Sequence, residues 1–157
     1  MPEIHIYTDG SALGNPGPGG YGIIIEWVGK GYMKEFSRGF KYTTNNRMEL
    51  LAIIEALEML KLSPMDVLVF SDSKYVIEAI EKKWIFSWQK KNFKGKKNPD
   101  LWKRFLEINA QHKVRFQWIK GHNNHPQNER CDYLAVQAAK NMATEHDHYY
   151  EQSVQKK

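Results

Sequence analysis

Residues 6–25 read IYTDGSALGNPGPGGYGIII, two apolar runs joined by a segment that is rich in glycine and proline. Glycine permits turns and close backbone approaches that a side chain would block, so the segment is either a phosphate-binding loop or a connection between strands. A nucleotide-binding loop would continue into Gly-Lys-Ser/Thr and a helix, whereas this chain continues into the strand-like YGIIIEW. We therefore predict a wide connection between two antiparallel strands, with Asp9 at the end of the first.

Hydrophobic periodicity around this pair of strands predicts an α/β domain, one mixed sheet with helices on its faces. Three strands, at 3–8, 21–28 and 32–42, precede a helix in which the apolar residues of MELLAIIEALEML repeat at helical spacing. VLVF, residues 67–70, is short and wholly apolar, which predicts a strand that is buried on both faces. The other predicted elements are a helix at 74–85 capped by Ser73, an irregular segment at 87–99, a helix at 101–111, a strand at 114–119 and a last helix capped by Asn128.

The composition of the 157-residue chain is typical of one soluble folded domain. No apolar run approaches the roughly 20 residues of a membrane helix. One cysteine excludes an intrachain disulfide, and the first residues lack the pattern of a signal peptide. We therefore expect a cytoplasmic protein without a membrane partner, with its domain at residues 1–143 and a loosely held polar tail at 144–157.

The net charge of +5 includes a cluster of cations at residues 82–100, which we expect to form a basic protrusion. In the longer stretch KKWIFSWQKKNFKGKKNPDLWK, which begins at Lys82, these cations alternate with aromatic rings. Cations neutralise phosphates and aromatic faces stack on bases or sugars. The segment therefore indicates a nucleic-acid partner in preference to a merely solvated basic face.

Four acidic residues stand at the ends of predicted elements, and each has a structural alternative. Asp9 can initiate a turn, and Asp72 can cap a helix. Glu49 can form a capping box with Asn46, and Asp132, in the first turn of the last predicted helix, can complement the helix dipole. Taken one at a time, these alternatives explain each acid without any catalytic role.

Taken together, the four acids favour a metal site. If the strands that end at Asp9 and Asp72 are parallel neighbours, both carboxylates lie at the same edge of the sheet. Glu49 borders the apolar face of its helix rather than the solvated one. Converging carboxylates repel each other unless a proton or cation neutralises them, and oxygen ligands without cysteine favour Mg²⁺, with Mn²⁺ as a substitute. A Mg²⁺ site in a basic, aromatic protein indicates chemistry on phosphodiesters.

Four blocks of sequence resemble ribonuclease H of type 1: TDGSALGNPGPGGYG, TTNNRMELLA, FSDSKYV and IKGHNNHPQNERCDYLA. They follow the order and spacing of that family over about residues 3–142, and the chain is similar to its bacterial stand-alone members. The resemblance implies a five-stranded mixed sheet of order 3-2-1-4-5, with strand 2 antiparallel and helices on both faces. It also implies an endonuclease that hydrolyses the RNA strand of RNA/DNA hybrids and leaves 3′-hydroxyl and 5′-phosphate ends.

The same resemblance assigns metal-binding and catalytic roles to the four acids and to His122. Asp9 would bridge two Mg²⁺ ions. Glu49 and Asp72 would hold the ion that activates the attacking water, and Asp132 would hold the ion that stabilises the leaving oxygen. His122 is assigned to proton transfer or product release, because an imidazole titrates near neutrality.

The resemblance also implies two grooves, each of which binds one strand of the hybrid. The RNA strand would be recognised through its 2′-hydroxyl groups, and the DNA strand would lie on an aromatic floor beside a phosphate pocket. The RNA-strand residues are Gly10, Ser11, Asn15, Asn45, Asn46 and Lys74. The DNA-strand residues are Thr44, Trp84, Trp88, Asn98, Lys90, Lys91, Lys94, Lys96 and Lys97.

The chain departs from the family pattern at two positions that bear on these grooves. Lys74 stands where many bacterial members carry glutamine, and Tyr42 stands where an arginine often joins the phosphate pocket. Two other functions remain open from the sequence, a different two-metal nuclease of the same fold and a non-catalytic module that binds hybrids. The first usually carries extra domains, and the second would lack one of the four carboxylates, all of which are present here, so we expect an enzyme. We also expect it to be a monomer. His125, ahead of Pro126, is predicted to have a structural role.

Overall fold

The computed structural model describes residues 3–121 and 125–155, which form one mixed sheet with helices on its faces. The strands are β1 (Glu3–Ala12), β2 (Gly17–Trp27), β3 (Tyr32–Thr43), β4 (Asp66–Ser71), β5 (Lys113–Trp118) and β6 (Ala143–Glu145). The helices are α1 (Asn45–Glu58), α2 (Lys74–Glu81), α3 (Trp84–Lys90), α4 (Pro99–Asn109), α5 (Pro126–Asn141) and α6 (His148–Gln155).

The strand order is β5-β4-β1-β2-β3-β6. The predicted order 3-2-1-4-5 is therefore confirmed, and a sixth strand extends it at the β3 edge. Strand β1 pairs antiparallel with β2 and parallel with β4, and Tyr7 lies opposite Phe70 in the parallel pair. Asp9 and Asp72 each lie two residues beyond that pair, so the parallel register brings both acids to the same edge of the sheet.

Two apolar clusters cover the two faces of the sheet. The larger one packs α1 against alternate residues of the central strands, such as Ile6 and Ile23. On the opposite face, Tyr7 and Ile24 pack with Cys131 of α5. Because burial of apolar surface is the main favourable term in folding, the alternation of side chains along β1 and β2 fixes both helices against the sheet.

Strand β4 is less buried than its sequence predicts. Val67 and Val69 are buried, but Leu68 and Phe70, on the other face, are only half-buried. The physical reason is that α5 packs mainly on β1, β2 and β3, so that β4 lies outside the face it covers. The prediction of a strand buried on both faces is therefore wrong.

The glycines after Pro16 belong to a strand rather than to a wide loop. Strand β2 begins at Gly17, so the connection is four residues long, and Leu13 N donates to Pro18 O at 2.7 Å across it. The predicted wide connection is therefore wrong. Gly22 instead lies against α5, where an added Cβ would come 2.4 Å from the Cys131 carbonyl oxygen. The absence of a side chain there lets the helix lie directly on the sheet.

We expect Gly22→Ala to lower the free energy of unfolding by about 2–3 kcal/mol, because the added methyl group forces α5 away from the sheet. Gly95→Ala is the control, since nothing lies within 4 Å of a Cβ there and φ is +74°. That variant loses only about 1 kcal/mol, the strain of a left-handed backbone. Urea denaturation of both variants measures the difference. Equal losses would contradict the close approach of α5 as the reason for Gly22.

Two helices differ from the sequence prediction at their ends. The helix predicted at 74–85 ends at Glu81, and α3 occupies part of the segment that was predicted to be irregular. Helix α5 begins at Pro126 and is capped by His125, whose Nδ1 accepts from Asn128 N at 3.4 Å, so the predicted cap at Asn128 is wrong. Within residues 3–121 and 125–155, no helix combines the length and the apolar character needed to cross a membrane.

The residues after 143 pack on the domain instead of forming a loose tail. Strand β6 pairs with β3, with Ala143 opposite Gly39, and α6 follows it. Between them, the buried side chain of Asp147 accepts from Thr43 Oγ1 and from Arg47 Nε, both at 2.7 Å. The expectation of a loosely held segment is therefore wrong for residues 144–155, because its polar composition conceals this buried carboxylate.

Candidate active site

Four carboxylates, three from different elements and one from the segment after β4, line one pocket, which lies where the pairing of β1 with β4 ends. The pocket has a volume of about 500 Å³. Its position follows from the parallel register, because Asp9 and Asp72 each lie two residues beyond the last pair of β1 with β4, while β1 goes on pairing with β2. The four acids are Asp9 of β1, Glu49 of α1, Asp72 after β4 and Asp132 of α5. We call this the carboxylate pocket.

Three of these carboxylates form a tight group. Asp9, Glu49 and Asp72 each place one oxygen within 4.8 Å of the others, and the first two side chains are buried. Burial, followed by the nearby charges of Glu49 and Asp72, raises the pKa of Asp9 far above its usual range. Burial also raises the pKa of Glu49. Without a cation, the group therefore retains protons that an isolated carboxyl would have lost.

Glu49 is held in the pocket by the backbone of β1. Gly10 N donates to Glu49 Oε1 at 2.5 Å, and an added Cβ at Gly10 would come 2.4 Å from Glu49 N. Glycine at this position thus lets α1 approach β1. The cap of α1 is Thr44, whose Oγ1 accepts from Arg47 N at 3.2 Å, so the capping box proposed for Asn46 and Glu49 is wrong.

The second oxygen of Glu49 supports a cation site. Glu49 Oε2 is buried and has no hydrogen-bond partner among the described residues. A buried carboxylate oxygen without a partner is costly unless a donor or a cation reaches it. Together with Asp9 and Asp72, this oxygen offers the hard, purely oxygen donor set that divalent cations such as Mg²⁺ prefer.

Asp132 borders the tight group from α5. Because the helix begins at Pro126, Asp132 lies in its second turn, and the predicted place in the first turn is wrong. The favourable effect of the helix dipole fades within the first turn, so the dipole alternative weakens. The side chain is half-buried and makes a hydrogen-bonding contact with Asp9, which helps to raise the pKa of Asp9.

The structure tests the prediction for only one of the two histidines in the IKGHNNHP segment. His122 lies outside the described residues. Gly121, just before it, lies beside the pocket, because an added Cβ there would be 3.0 Å from Asp72 Oδ2. His125 caps α5, and its ring lies 5.6 Å from that of Tyr7. The structural role predicted for His125 is therefore confirmed.

Most of the residues predicted to bind an RNA strand line the carboxylate pocket. The exception is Asn15, whose Oδ1 accepts from Asn45 N at 3.1 Å and which lies in a neighbouring groove. Lys74 stands at the start of α2, and its Nζ lies 5.3 Å from the centre of the Trp118 ring. The residues in the pocket are Gly10, Ser11, Asn45, Asn46 and Lys74.

An aromatic groove of about 480 Å³ borders the pocket on one side. Trp84 and Trp88 line it, and Lys96 Nζ lies 5.1 Å from the centre of the Trp88 ring. Lys74 belongs to both the groove and the carboxylate pocket, so the two are continuous. Lysines 90, 91 and 94, which were predicted for the DNA strand, are exposed nearby but do not line this groove.

A second groove, of about 440 Å³, borders the pocket on another side, and we call it the C-terminal groove. Thr44 and Asn98, the two residues predicted for a phosphate pocket, both line it. Asn46 belongs to this groove and to the carboxylate pocket. Lys96 and Lys97 belong to this groove and to the aromatic groove. The three depressions therefore form one continuous surface.

Arg47 is the main residue that the sequence interpretation missed. Its guanidinium is buried and donates to Asp100 Oδ2 at 2.7 Å, to Asp147 Oδ2 at 2.7 Å and to Asn98 Oδ1 at 3.3 Å. Both acids lie far along the chain, so no local pattern pairs them with Arg47. The sequence did contain a sign of this role. Arg47 precedes Leu50 by three residues, so it lies in the apolar stripe of the helix, and a buried arginine there needs a partner.

The RNase H family model matches residues 1–140 of the chain. Ribonuclease HI of Helicobacter pylori (strain ATCC 700392 / 26695) is 53% identical over 145 residues, which cover 92% of this chain and 99% of that protein. Ribonuclease H of Desulforamulus reducens is 52% identical over 145 residues, which cover 89% of each protein. The similarity therefore extends over nearly the whole length of these relatives.

Two solved structures share the fold. LC9-RNase H1, a type 1 RNase H with the type 2 active-site motif, gives a TM-score of 0.81 at 32% identity and covers 90% of this chain and 74% of that one. LC11-RNase H1 in complex with an RNA/DNA hybrid gives a TM-score of 0.66 at 32% identity and covers 87% of this chain and 96% of that one. The matches in sequence and in structure each cover most of the chain.

Proposed function

The chain belongs to the ribonuclease H family, and we propose that its carboxylate pocket binds two Mg²⁺ ions and is the place where it cuts RNA. The activity of the family is endonucleolytic hydrolysis of the RNA strand of RNA/DNA hybrids. The products we expect carry 3′-hydroxyl and 5′-phosphate ends. The observation that carries the assignment of the site is the group of oxygens from Asp9, Glu49 and Asp72 within 4.8 Å of one another.

The donor set of the pocket fits divalent cations. The charged groups that can bind a metal there are all carboxylates, and the unpartnered Glu49 Oε2 is available to a cation. We assign Asp9 to both ions, Glu49 and Asp72 to one of them, and Asp132 to the other, with Mn²⁺ as a substitute metal. Bound there, the ions would lower the pKa of a water molecule and stabilise the negative charge that develops on the phosphoryl and leaving oxygens.

The surrounding residues would orient the RNA strand. Gly10 and Ser11 expose backbone beside the acids, which lets a phosphate come close, and Lys74 supplies a cation at the same rim. Asn45 and Asn46 offer amide groups that can donate to and accept from a 2′-hydroxyl, the group that distinguishes RNA from DNA. Asn15 would act through Asn45, because its side chain accepts from the Asn45 backbone.

We assign proton transfer or product release to His122. The support is the position of Gly121, the residue before it, against the carboxylate of Asp72. An imidazole next to such a site can take up or release a proton near neutral pH.

The DNA strand would lie on the two grooves beside the pocket. In the aromatic groove, Trp84 and Trp88 offer ring faces to sugars or bases, and Lys96 offers a cation to the backbone. In the C-terminal groove, Thr44 and Asn98 offer polar groups to a phosphate. The exposed lysines at 90, 91 and 94 would add long-range attraction for the same strand.

We propose that the protein works as a cytoplasmic monomer with its catalytic domain at residues 1–143, onto which residues 144–155 pack. A reducing compartment suits a chain whose one cysteine, Cys131, is a buried thiol. The three depressions form one continuous surface on one chain, so the proposed substrate site needs no residue from a second copy.

With Mg²⁺, the purified protein is expected to cut the RNA strand of an end-labelled RNA/DNA hybrid and to leave duplex DNA and duplex RNA intact. The reason is that one strand must carry 2′-hydroxyl groups and the other strand must lack them. Denaturing gels resolve the fragments, and phosphatase treatment detects their 5′-phosphates. EDTA should stop the reaction. No cleavage of the hybrid, or equal cleavage of all three duplexes, would contradict the proposal.

A further inference from the structure

Helix α6 forms one wall of the C-terminal groove. Tyr149, Tyr150 and Ser153 line the groove from this helix, opposite Thr44 and Asn98. Tyr149 and Ser153 are exposed, so both can contact a ligand, and Ser153 Oγ also donates to Tyr150 O at 2.7 Å. Among its described lining residues the groove contains the exposed cations Lys96 and Lys97 and no acidic side chain, whereas the charge of Arg47 is already paired with Asp100 and Asp147. The wall therefore faces a site with the charge and polarity that suit a phosphate backbone.

Asp147 fixes α6 in this position. Its carboxylate accepts from Thr43 Oγ1 at 2.7 Å and from Arg47 Nε and Nη2 at 2.7 and 2.9 Å. Its carbonyl oxygen accepts from Glu151 N at 2.9 Å, which starts the helix. The Arg47 guanidinium also lies 5.4 Å from the centre of the Tyr149 ring. Helix α6 is thus attached to the first turn of α1, the same turn that follows Thr44.

Tyr42 contacts this wall without lining the groove itself. Its ring lies 5.7 Å from that of Tyr150, which lines the groove, and Tyr42 itself is 38% exposed. A tyrosine wall can stack on sugars and can donate hydroxyl groups to phosphate oxygens. Contact through Tyr150 therefore gives Tyr42 a role that does not need a positive charge.

The position of the groove relative to the carboxylate pocket decides which strand it can hold. The two strands of a duplex lie side by side, so a duplex whose RNA strand enters the pocket lays its other strand on a neighbouring surface. Asn46 connects the pocket to the C-terminal groove, and Lys96 connects that groove to the aromatic groove. A backbone that enters the C-terminal groove lies against the wall that α6 forms.

We propose that α6 is part of the binding site for the uncut DNA strand, with Tyr149, Tyr150 and Ser153 in contact with its sugar-phosphate backbone. This inference rests on the proposed function, since it needs a hybrid whose RNA strand occupies the carboxylate pocket. It gives the C-terminal segment a role in substrate binding, in addition to its packing on the domain.

A pair of charge substitutions on α6 tests the proposal. Ser153 lines the groove, whereas the neighbouring exposed residue Gln152 does not, so Ser153→Glu and Gln152→Glu change the net charge equally at different places. We expect Ser153→Glu to raise KM for the hybrid about fivefold or more at low salt with little change in kcat, and Ser153→Lys to lower it. Gln152→Glu should change KM less than about twofold.

A second comparison identifies the strand. Neutral methylphosphonate linkages in the DNA strand should abolish the effect of Ser153→Glu, and the same linkages placed only in the RNA strand away from the cut should preserve it. Tyr149→Ala is expected to weaken hybrid binding about tenfold by fluorescence anisotropy. Tyr32→Ala, a similarly exposed tyrosine at the other end of β3, should leave binding unchanged.

The outcomes separate this proposal from the proposed function. If the wild-type protein cuts the hybrid but Ser153→Glu and Gln152→Glu behave alike, the role of α6 is overturned and the enzyme assignment stands. The role of α6 is also overturned if Ser153→Glu still raises KM on the hybrid whose DNA strand carries neutral methylphosphonate linkages. If the wild-type protein fails to cut the hybrid, both proposals fall. Melting temperatures equal to that of the wild type establish that each variant is folded.

Discussion

Asp9→Asn is expected to lower kcat on the RNA/DNA hybrid by a factor of about 10³ or more, because several kcal/mol of metal-assisted stabilisation are lost. Asp9 lies within 4.8 Å of Glu49 and Asp72, and it contacts Asp132, so it is the carboxylate that links the others. An amide keeps the shape of the side chain but removes its charge. KM for the hybrid should change little, because the grooves that hold the two strands are untouched.

The same substitution should stabilise the protein when no metal is present. Burial and the neighbouring carboxylates raise the pKa of Asp9 in the folded state, so this group opposes folding once pH exceeds its unfolded pKa of about 3.9. Its contribution to stability is fully present below that pH and is lost progressively as pH rises. In EDTA at about pH 8, Asp9→Asn should therefore melt above the wild type, and the gap should close toward about pH 4.

Asp66→Asn is the matched control for both effects. It makes the same chemical change at the first residue of β4, away from the carboxylate pocket. Its kcat should equal that of the wild type, and its melting temperature should show no gain in EDTA. Near-full activity of Asp9→Asn would contradict the metal assignment. A lower melting temperature for Asp9→Asn in EDTA at every pH would contradict the repulsion among the acids.

Local patterns predicted the set of acids in the pocket, whereas the strand order was implied by the resemblance to ribonuclease H. Alternating apolar residues mark β1 and β2, and the two apolar strands that end near Asp9 and Asp72 are adjacent and parallel. Glu49 borders the apolar stripe of its helix, which is a local signal for an acid turned toward the domain. Periodicity and element ends were sufficient for the strands themselves and for the acids, but not for the order of the strands in the sheet.

The features that the sequence did not predict depend on partners far along the chain. Position 22 needs a glycine because α5 packs directly against it, and no residue near Gly22 in the sequence indicates that contact. Asp147 lies in a polar segment, and its burial depends on Arg47, 100 positions earlier. A carboxylate that is buried by a distant arginine has the same local pattern as one that is solvated. This is why α6 was expected to be loosely held.

Arg47→Ala is expected to lower the free energy of unfolding by about 3–5 kcal/mol, the usual cost of removing one partner from a buried ion pair. The Arg47 side chain is almost fully buried and holds Asp100 and Asp147 through four hydrogen bonds of 2.7–2.9 Å. Its removal leaves both carboxylates with uncompensated charge. Arg47→Lys should also be destabilising, because an ammonium group cannot reproduce the forked geometry that serves two acids at once.

Arg130→Ala provides the matched control. Arg130 makes a similar two-pronged contact with Glu35, at 2.8 and 3.0 Å, but on the exposed surface, so its loss should leave the urea midpoint nearly unchanged. Equal midpoints for the two alanine variants would contradict the buried cluster as a source of stability. Because Arg47 also bonds Asn98 and holds α6 through Asp147, the folded fraction of Arg47→Ala should bind the hybrid more weakly. One buried guanidinium thus couples the stability of the domain to the shape of the C-terminal groove.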